Sequence, residues 1–314
     1  EVLNLRQEWM LPVGGMQFPE TGSAENAEAY GAVRLFVECA RRIRPDFSLA
    51  DELVNVIRIC QIVEGVPLAI ELAASWLKSL PCAEIASEIQ RNLDFLDTTM
   101  RDFPARHRSI RAVFDHSWTL LSPNEQVIFS RLAIFRGGFR RAAAERITGA
   151  SLADLTGLID KSLIRVDSGG RYQIHELLRQ FAQEKLDQRA DLSLLRAAHC
   201  AYYSSLLEDN CQSLVNGLAN SVFDDVLKDL DNVWNAWDYA LEQCREELVD
   251  PFLVPLYRLF DDRNQYFDGE RTFRRALGCV AHADAPMTLT QARAALCLAL
   301  CLQNLTRYDE ASVF

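Results

Sequence analysis

His175 is the residue whose neighbours give it the most defined chemistry in this 314-residue chain. In Arg171–Ala182, Tyr172 and Ile174 alternate with polar residues, as in a half-buried strand. From Ile174 the apolar positions fall three or four apart (Leu177, Leu178, Phe181, then the stem of Lys185), so the period switches from two to 3.6 at His175. Glu176 then lies in a first helical turn, where negative charge suits the helix dipole. The same dipole disfavours a proton on the histidine, so a neutral ring that donates one hydrogen bond is expected. A second marked stretch is Gly65-Val66-Pro67-Leu68-Ala69, where glycine closes one helical pattern and proline opens the next. Taken singly, each feature is ordinary: a structural histidine at a helix start, and helix punctuation.

Several chemistries lack their residues. No Gly-x-x-x-x-Gly-Lys-Ser/Thr loop occurs, no Gly-Lys pair, and no apolar strand ending in paired acids, so phosphoryl transfer has no seat in these residues. Five histidines (107, 116, 175, 199, 282) show no HExxH or paired ligand spacing. No Gly-x-Ser-x-Gly elbow exists, and Asp115-His116-Ser117 are helix neighbours pointing about 100° apart, which excludes a triad. No catalytic residue and no metal ligand is expected.

Composition agrees with a globular chain that builds ordinary cores: 49% hydrophobic and 25% charged. Nine cysteines without a CxxC pair, most in apolar helical contexts, point to reduced, buried thiols and a cytoplasmic setting. No apolar run reaches the ~20 residues of a membrane span, and no basic, apolar leader opens the chain. Charge is uneven. Residues 1–100 hold 8 basic against 15 acidic side chains, residues 101–190 hold 15 against 10, and residues 191–314 hold 10 against 19. The basic middle predicts a boundary on each side.

The elements that must position His175 and Gly65–Pro67 follow in order. Val2–Leu11 reads as a short strand with no partner nearby, so the chain is expected to begin partway through a domain whose sheet lies upstream. Residues 21–100 read as a helical subdomain: a face of Val33, Phe36, Val37 and Ala40, then a helix opened by Ser48-Leu-Ala-Asp51 and closed at Gly65, then helices after Pro67 and Pro81. Arg101–Arg111 is a basic linker. Residues 109–161 carry four helical segments, with the capping boxes Ser122-Pro-Asn-Glu125 and Ser151-Leu-Ala-Asp154. Leu163–Val166, the turn Asp167–Gly170 and Arg171–Ile174 then predict a β-hairpin. Three helices and a hairpin are the order of a winged-helix domain, here 101–190. From Leu192 the pattern is helical throughout. Paired helices and the spacing of Leu298, Ala299, Leu302, Tyr308 and Ala311 predict a tetratricopeptide-like array over 191–314, interrupted at Phe314. Trp234, Trp237 and Tyr239 are expected to pack between helices, and Asp224–Asp231 to be a solvated face. The predicted fold is mainly α: a helical subdomain, a winged helix with a small hairpin, and an α-solenoid segment.

Gly65-Val66-Pro67-Leu68-Ala69 resembles the Gly-Leu-Pro-Leu-Ala motif of the NB-ARC and STAND signalling ATPases. Ile174-His175-Glu176 stands where their winged helix carries Met-His-Asp. Arg106–Trp118 and His175–Leu186 look especially like bacterial regulators of this type. The resemblance covers essentially the whole chain, and the order of its motifs is more specific than either motif. It implies that Gly65 and Pro67 sit at the adenine of bound ADP and that His175 donates to the β-phosphate, tying the winged helix to a nucleotide held by an upstream domain. Ile174 and Glu176 depart from the motif, and the longer glutamate changes the local hydrogen bonding. With no phosphate loop, the resemblance implies the C-terminal part of such an ATPase: no cofactor bound by this chain alone, ADP or ATP with magnesium in the parent protein. It also implies a protein or small-molecule signal on the repeats and a homo-oligomer when activated, with no membrane partner.

The helix expected to enter a DNA groove, Ser151–Lys161, carries two acids and no Arg, Asn or Gln, while base reading needs those side chains. DNA contact is therefore assigned to another domain of the parent. Two readings compete with the nucleotide switch: a helical-repeat scaffold without nucleotide function, and a DNA-binding winged-helix regulator.

Overall fold

The computed structural model describes residues 14–20, 26–97, 109–215, 226–280 and 286–314. The strand expected at Val2–Leu11 and most of the basic linker lie outside those residues. What is described is mainly α-helical, with a single two-stranded sheet among the described residues. Chain contacts divide it into two compact units: Glu1–Ala133 with Ala150–Gln188, and Ile134–Gly149 with Arg189–Phe314.

In the first unit, α1 (Gly31–Ile43) packs on α3 (Pro67–Ser75), and α2 (Leu49–Ile62) packs on α4 (Cys82–Arg91). The predicted face of Val33, Phe36, Val37 and Ala40 is buried, with Ile59, Ile70, Leu72 and Leu77 around it. Burying each large side chain contributes about 1.5–3 kcal/mol, which is what holds such short helices together. Ser48 occupies the N-cap of α2 but its side chain makes no capping bond, contrary to the expectation from sequence. Trp76 donates from Nε1 to the Phe95 carbonyl at 2.7 Å and stacks on the Phe95 ring at 4.6 Å, fixing the end of this group.

Helices α5 (Ile110–Thr119) and α6 (Pro123–Leu132) follow. The α6 capping box forms as read, with Ser122 and Glu125 bonding each other's backbone. Helix α8 (Leu152–Asp160) opens with the second predicted box, Ser151 with Asp154. The hairpin pairs β1 (Arg165–Val166) antiparallel with β2 (Tyr172–Gln173), in the register Arg165 opposite Gln173 and Val166 opposite Tyr172. Asp167 closes its turn by accepting the amides of Gly169 and Arg171, both at 2.9 Å. Then α9 (Glu176–Asp187) packs on α6 and on α5, where the Phe181 ring meets Phe114 and Trp118 edge-on at 5.9 and 6.0 Å. Aromatic edge contacts of this kind add about 0.5–1.5 kcal/mol beyond area burial.

The second unit begins with α7 (Arg141–Thr148), which packs on α10 (Leu192–Val215). Four more helices stack in sequence: α11 (Leu230–Gln243), α12 (Glu246–Asp262), α13 (Tyr266–Val280) and α14 (Leu289–Asn304), with the short α15 (Tyr308–Ala311) against the last. Thr288 and Gln291 form a capping box on α14. Asn232 holds the loop before α7 to α11: its Oδ1 accepts from the Arg136 amide at 2.7 Å and its Nδ2 donates to the Gly138 carbonyl at 2.8 Å. Asn235 adds a bond to the Ile134 carbonyl at 2.9 Å. Trp237 and Tyr239 are buried as expected, whereas Trp234 is half-exposed. Asp229, expected on a solvated face, is buried, with Arg140 4.0 Å away. Of the eight described cysteines, all free, five are buried and Cys244 is exposed. Burial pushes the thiols of Cys60, Cys82, Cys297 and Cys301 up to about 12, so they carry no thiolate near neutrality.

Candidate functional site

The two stretches singled out from sequence meet within the first unit. Gly65 is buried and has φ of +69°, a left-handed conformation that glycine adopts without strain. It follows Glu64, itself at φ +45°, so the chain makes an abrupt reversal between α2 and α3. Met16 lies across this turn and donates its amide to the Gly65 carbonyl at 2.8 Å. A Cβ on Gly65 would fall inside the Met16 carbonyl oxygen, and one on Gly15 would fall inside the Glu64 carbonyl. Pro67 is the first residue of α3 and is exposed.

From this turn the Glu64 carboxylate reaches the hairpin and α9. Its Oε1 accepts the Glu176 amide, the first N–H of α9, at 2.9 Å. Its Oε2 pairs with the Arg165 guanidinium at 3.0 Å. Glu64 therefore supplies a negative charge at the start of α9, where orphan N–H groups and the helix dipole favour one. Sequence reading named Gly65, Pro67 and His175 but missed Glu64 and Arg165. A glutamate at a helix end reads as a solvated charge, and no local signal marks a partner 101 positions away.

His175 is the N-cap of α9, and its Nδ1 accepts the Leu177 amide at 3.2 Å. With Nδ1 in use as an acceptor, the neutral ring carries its proton on Nε2. That atom is buried, and the acceptor beside it is the Val63 carbonyl, which it meets only in poor geometry. The ring's pKa lies below the ordinary histidine value, chiefly because burial penalises charge. Glu64 pulls it back up, Arg165 adds to the lowering, and the Val63 carbonyl and Glu176 raise it slightly. The ring is neutral as expected, but burial rather than the helix dipole is the main cause. A buried N–H so poorly paired is a donor that a better-placed acceptor would satisfy more fully.

Glu176 uses its longer side chain within α9. Both of its carboxylate oxygens take the Arg179 guanidinium at 2.8 Å, a bidentate pair. Beside the turn lies a cavity of about 570 Å³ bordered by Met16, Gln17, Tyr30, Glu64 and Arg165. Arg111, one of the basic residues of the middle segment, is committed to Asp94 and, at 2.7 Å, to Glu184. On α8, Asp154 is occupied by its capping box and by the Asn124 amide at 2.6 Å. Among the described residues no group of three or more His, Cys, Asp or Glu is placed to hold a metal ion. No described helix is long and apolar enough to cross a membrane.

No family model matches this chain. A Mycobacterium tuberculosis protein whose name proposes an HTH-type transcriptional regulator is 36% identical over 186 residues, which cover 56% of this chain and 21% of that protein. An uncharacterized protein of the same organism is 34% identical over 181 residues, covering 54% of this chain and 46% of the other. Among solved structures, a Signal Transduction ATPase with Numerous Domains (STAND) protein with a tetratricopeptide repeat sensor, from Pyrococcus horikoshii, superposes with a TM-score of 0.42 at 15% identity. That superposition covers 90% of this chain and 34% of the other. The chain spans less than half the length of each of these proteins.

Proposed function

We propose that this chain is the regulatory and sensor portion of a STAND-type signalling ATPase, in a transcription regulator of the cytoplasm. Residues 21–100 would be its helical subdomain, 101–190 its winged helix, 191–314 its repeats, and 1–20 the end of an upstream nucleotide-binding domain. The chain by itself is not an enzyme in this reading. The observation that carries it is the meeting of the Gly65–Pro67 turn with the buried His175 ring, joined through Glu64. The relative's name as a transcriptional regulator supports the regulatory part.

The residues present fit an ADP phosphate in part. His175 offers a neutral donor whose own backbone acceptor, the Val63 carbonyl, is poorly placed, and the exposed Pro67 ring offers an apolar face at a helix start. Arg165 supplies positive charge, while the neighbouring Glu64 carboxylate opposes an anion. The phosphate cradle and magnesium ligands must come from the upstream domain. ADP, when bound there, supplies a phosphate oxygen whose acceptance from His175 differs between the closed and open states. The chain's own part is mechanical: His175 and Glu64 set the start of α9 against the Gly65 turn, and a signal on the repeats shifts the balance by its differential affinity for the two states. In the open state the parent would exchange ADP for ATP and self-associate. DNA contact belongs to another domain, because α8 offers no base-reading side chain.

Calorimetric titration of ADP into the intact parent protein and its His175→Ala variant tests this. Weaker ADP binding and a lower activation threshold are expected. Equal affinity and an equal threshold would leave the repeat-scaffold reading standing instead.

A further inference from the structure

The second unit contains a groove that neither the fold nor the nucleotide reading uses. It encloses about 640 Å³ where the end of α12 and the start of α13 face α11. Its floor is aromatic: Trp234 packs beside Phe260 at 6.0 Å with the rings tilted by 31°, and Phe260 meets Phe273 edge-on at 6.0 Å. Phe260 is buried and backed by the buried Phe273 behind it, so it forms a fixed base, whereas Trp234 is half-exposed into the groove.

The rim is cationic. Arg263, Arg271 and Arg275 line it against two acids, Asp238 and Asp268, a surplus of one positive charge on a chain of net −11. Arg275 pairs with Asp238 at 2.9 Å and Arg271 with Asp268 at 3.1 Å, all four side chains being more than half exposed. Such pairs are worth roughly 0–1 kcal/mol, so a better-placed anion displaces them readily. The Arg263 guanidinium, by contrast, is exposed and in no ion pair among the described residues. Thr272, a buried residue, lines the same wall.

We infer that this groove binds a small organic anion: a flat apolar body against Trp234, and a carboxylate or phosphate taken by Arg263 with its neighbouring arginines. The volume falls in the range of small-molecule sites, roughly 300–1,000 Å³, rather than that of an extended macromolecular surface. The guanidinium fork matches both oxyanions, and the half-exposed indole gives the body a stacking face. The groove's role as a signal site rests on the sensor reading above; its capacity to bind does not.

The test uses the whole chain, without nucleotide, and three probes that share one body: 1-naphthoate, 1-naphthyl phosphate and neutral 1-naphthamide, titrated by calorimetry. Either or both anions bind, and whichever binds more tightly identifies the oxyanion class. The amide binds roughly tenfold more weakly or worse. Arg263→Gln weakens the anions by roughly tenfold and leaves the amide unchanged, and Trp234→Leu weakens all three. Arg263 is exposed, so its variant folds; far-UV circular dichroism checks the tryptophan variant. Equal binding of amide and anions, indifference to Arg263→Gln, or no binding of any probe at millimolar concentration overturns the proposal. The sensor reading is tested separately, by adding the bound anion to the intact parent and measuring ADP affinity. An unchanged ADP affinity there removes the signalling role while the site stands.

Discussion

Glu64 and Arg165 meet at 3.0 Å across 101 residues of sequence, and the same carboxylate caps the first amide of α9 at 2.9 Å. One side chain thus fastens three pieces of the first unit: the turn before α3, the hairpin, and the helix that begins at His175. The two bonds differ in worth. The Arg165 side chain is 60% exposed, so its ion pair contributes about 0–1 kcal/mol, while an N-terminal cap contributes about 0.5–2 kcal/mol.

Glu64→Ala is therefore expected to destabilise the first unit by about 1–2 kcal/mol, and Arg165→Gln by less than about 0.5 kcal/mol. Glu64→Gly recovers part of the loss, because residue 64 sits at φ +45°, where glycine is unstrained. Urea unfolding of the three variants gives the order. A loss for Arg165→Gln equal to that for Glu64→Ala would show that the ion pair, not the cap, carries the contact.

At the neighbouring position Gly65→Ala meets two obstacles. Its φ of +69° is unfavourable for alanine, and the added methyl would run into the Met16 carbonyl, which is backbone and cannot swing away. A loss above about 2 kcal/mol is expected, more than Pro67→Ala at the exposed start of α3. Thermal melts of the two variants make the comparison.

In the second unit Asn232→Ala would strand two backbone groups, the Arg136 amide and the Gly138 carbonyl. Leaving part-buried groups unpaired costs up to about 1–3 kcal/mol each, so a clear loss is expected, and Asn232→Asp, which keeps only the acceptor, falls between. Hydrogen exchange at the Arg136 amide would rise in the alanine variant and stay slow in the aspartate variant.

His199 gives the second unit a pH dependence. The ring lies between Phe135 and Tyr203, with centroids 5.8 and 4.7 Å away, and burial depresses its pKa to about 4, opposed by a bond with Asn232. Its folded pKa is below the unfolded value near 6.5, so the unfolded chain binds the proton first. Stability linked to this residue is full above about pH 6.5 and is lost as pH falls toward 4, amounting to roughly 3 kcal/mol. Denaturant midpoints at pH 7 and pH 4.5 should diverge less in His199→Phe than in the wild type.

Much of this was readable from residue spacing. Helix faces, both capping boxes at Ser122 and Ser151, and the hairpin turn at Asp167–Gly170 are local patterns, and local patterns survive folding when nothing competes. Ser48 has the residue type of a cap and the position, yet forms no bond, because type alone does not orient a side chain. The neutrality of His175 was legible, but its cause was not, since burial depends on what packs from elsewhere. Trp234 and Trp237 are three positions apart on one helix and differ in exposure, although both meet rings of α12, Phe260 and Phe252, a distinction set by packing and not by α11 alone. Glu64 was the least legible of all: its backbone angle, its cap and its arginine leave no mark in the residues around it.

The path of the chain through its two units also limits how the protein can be divided. It leaves the first unit at Ala133, returns at Ala150 and leaves again after Gln188. A cut behind Gln188 would part α10 from α7, which packs on it, and from the loop that Asn232 holds. The repeats are therefore not a detachable cassette. A swap with a related helical segment keeps its footing only if residues 134–149 travel with the repeats, so recombination behind Gln188 alone produces misfits.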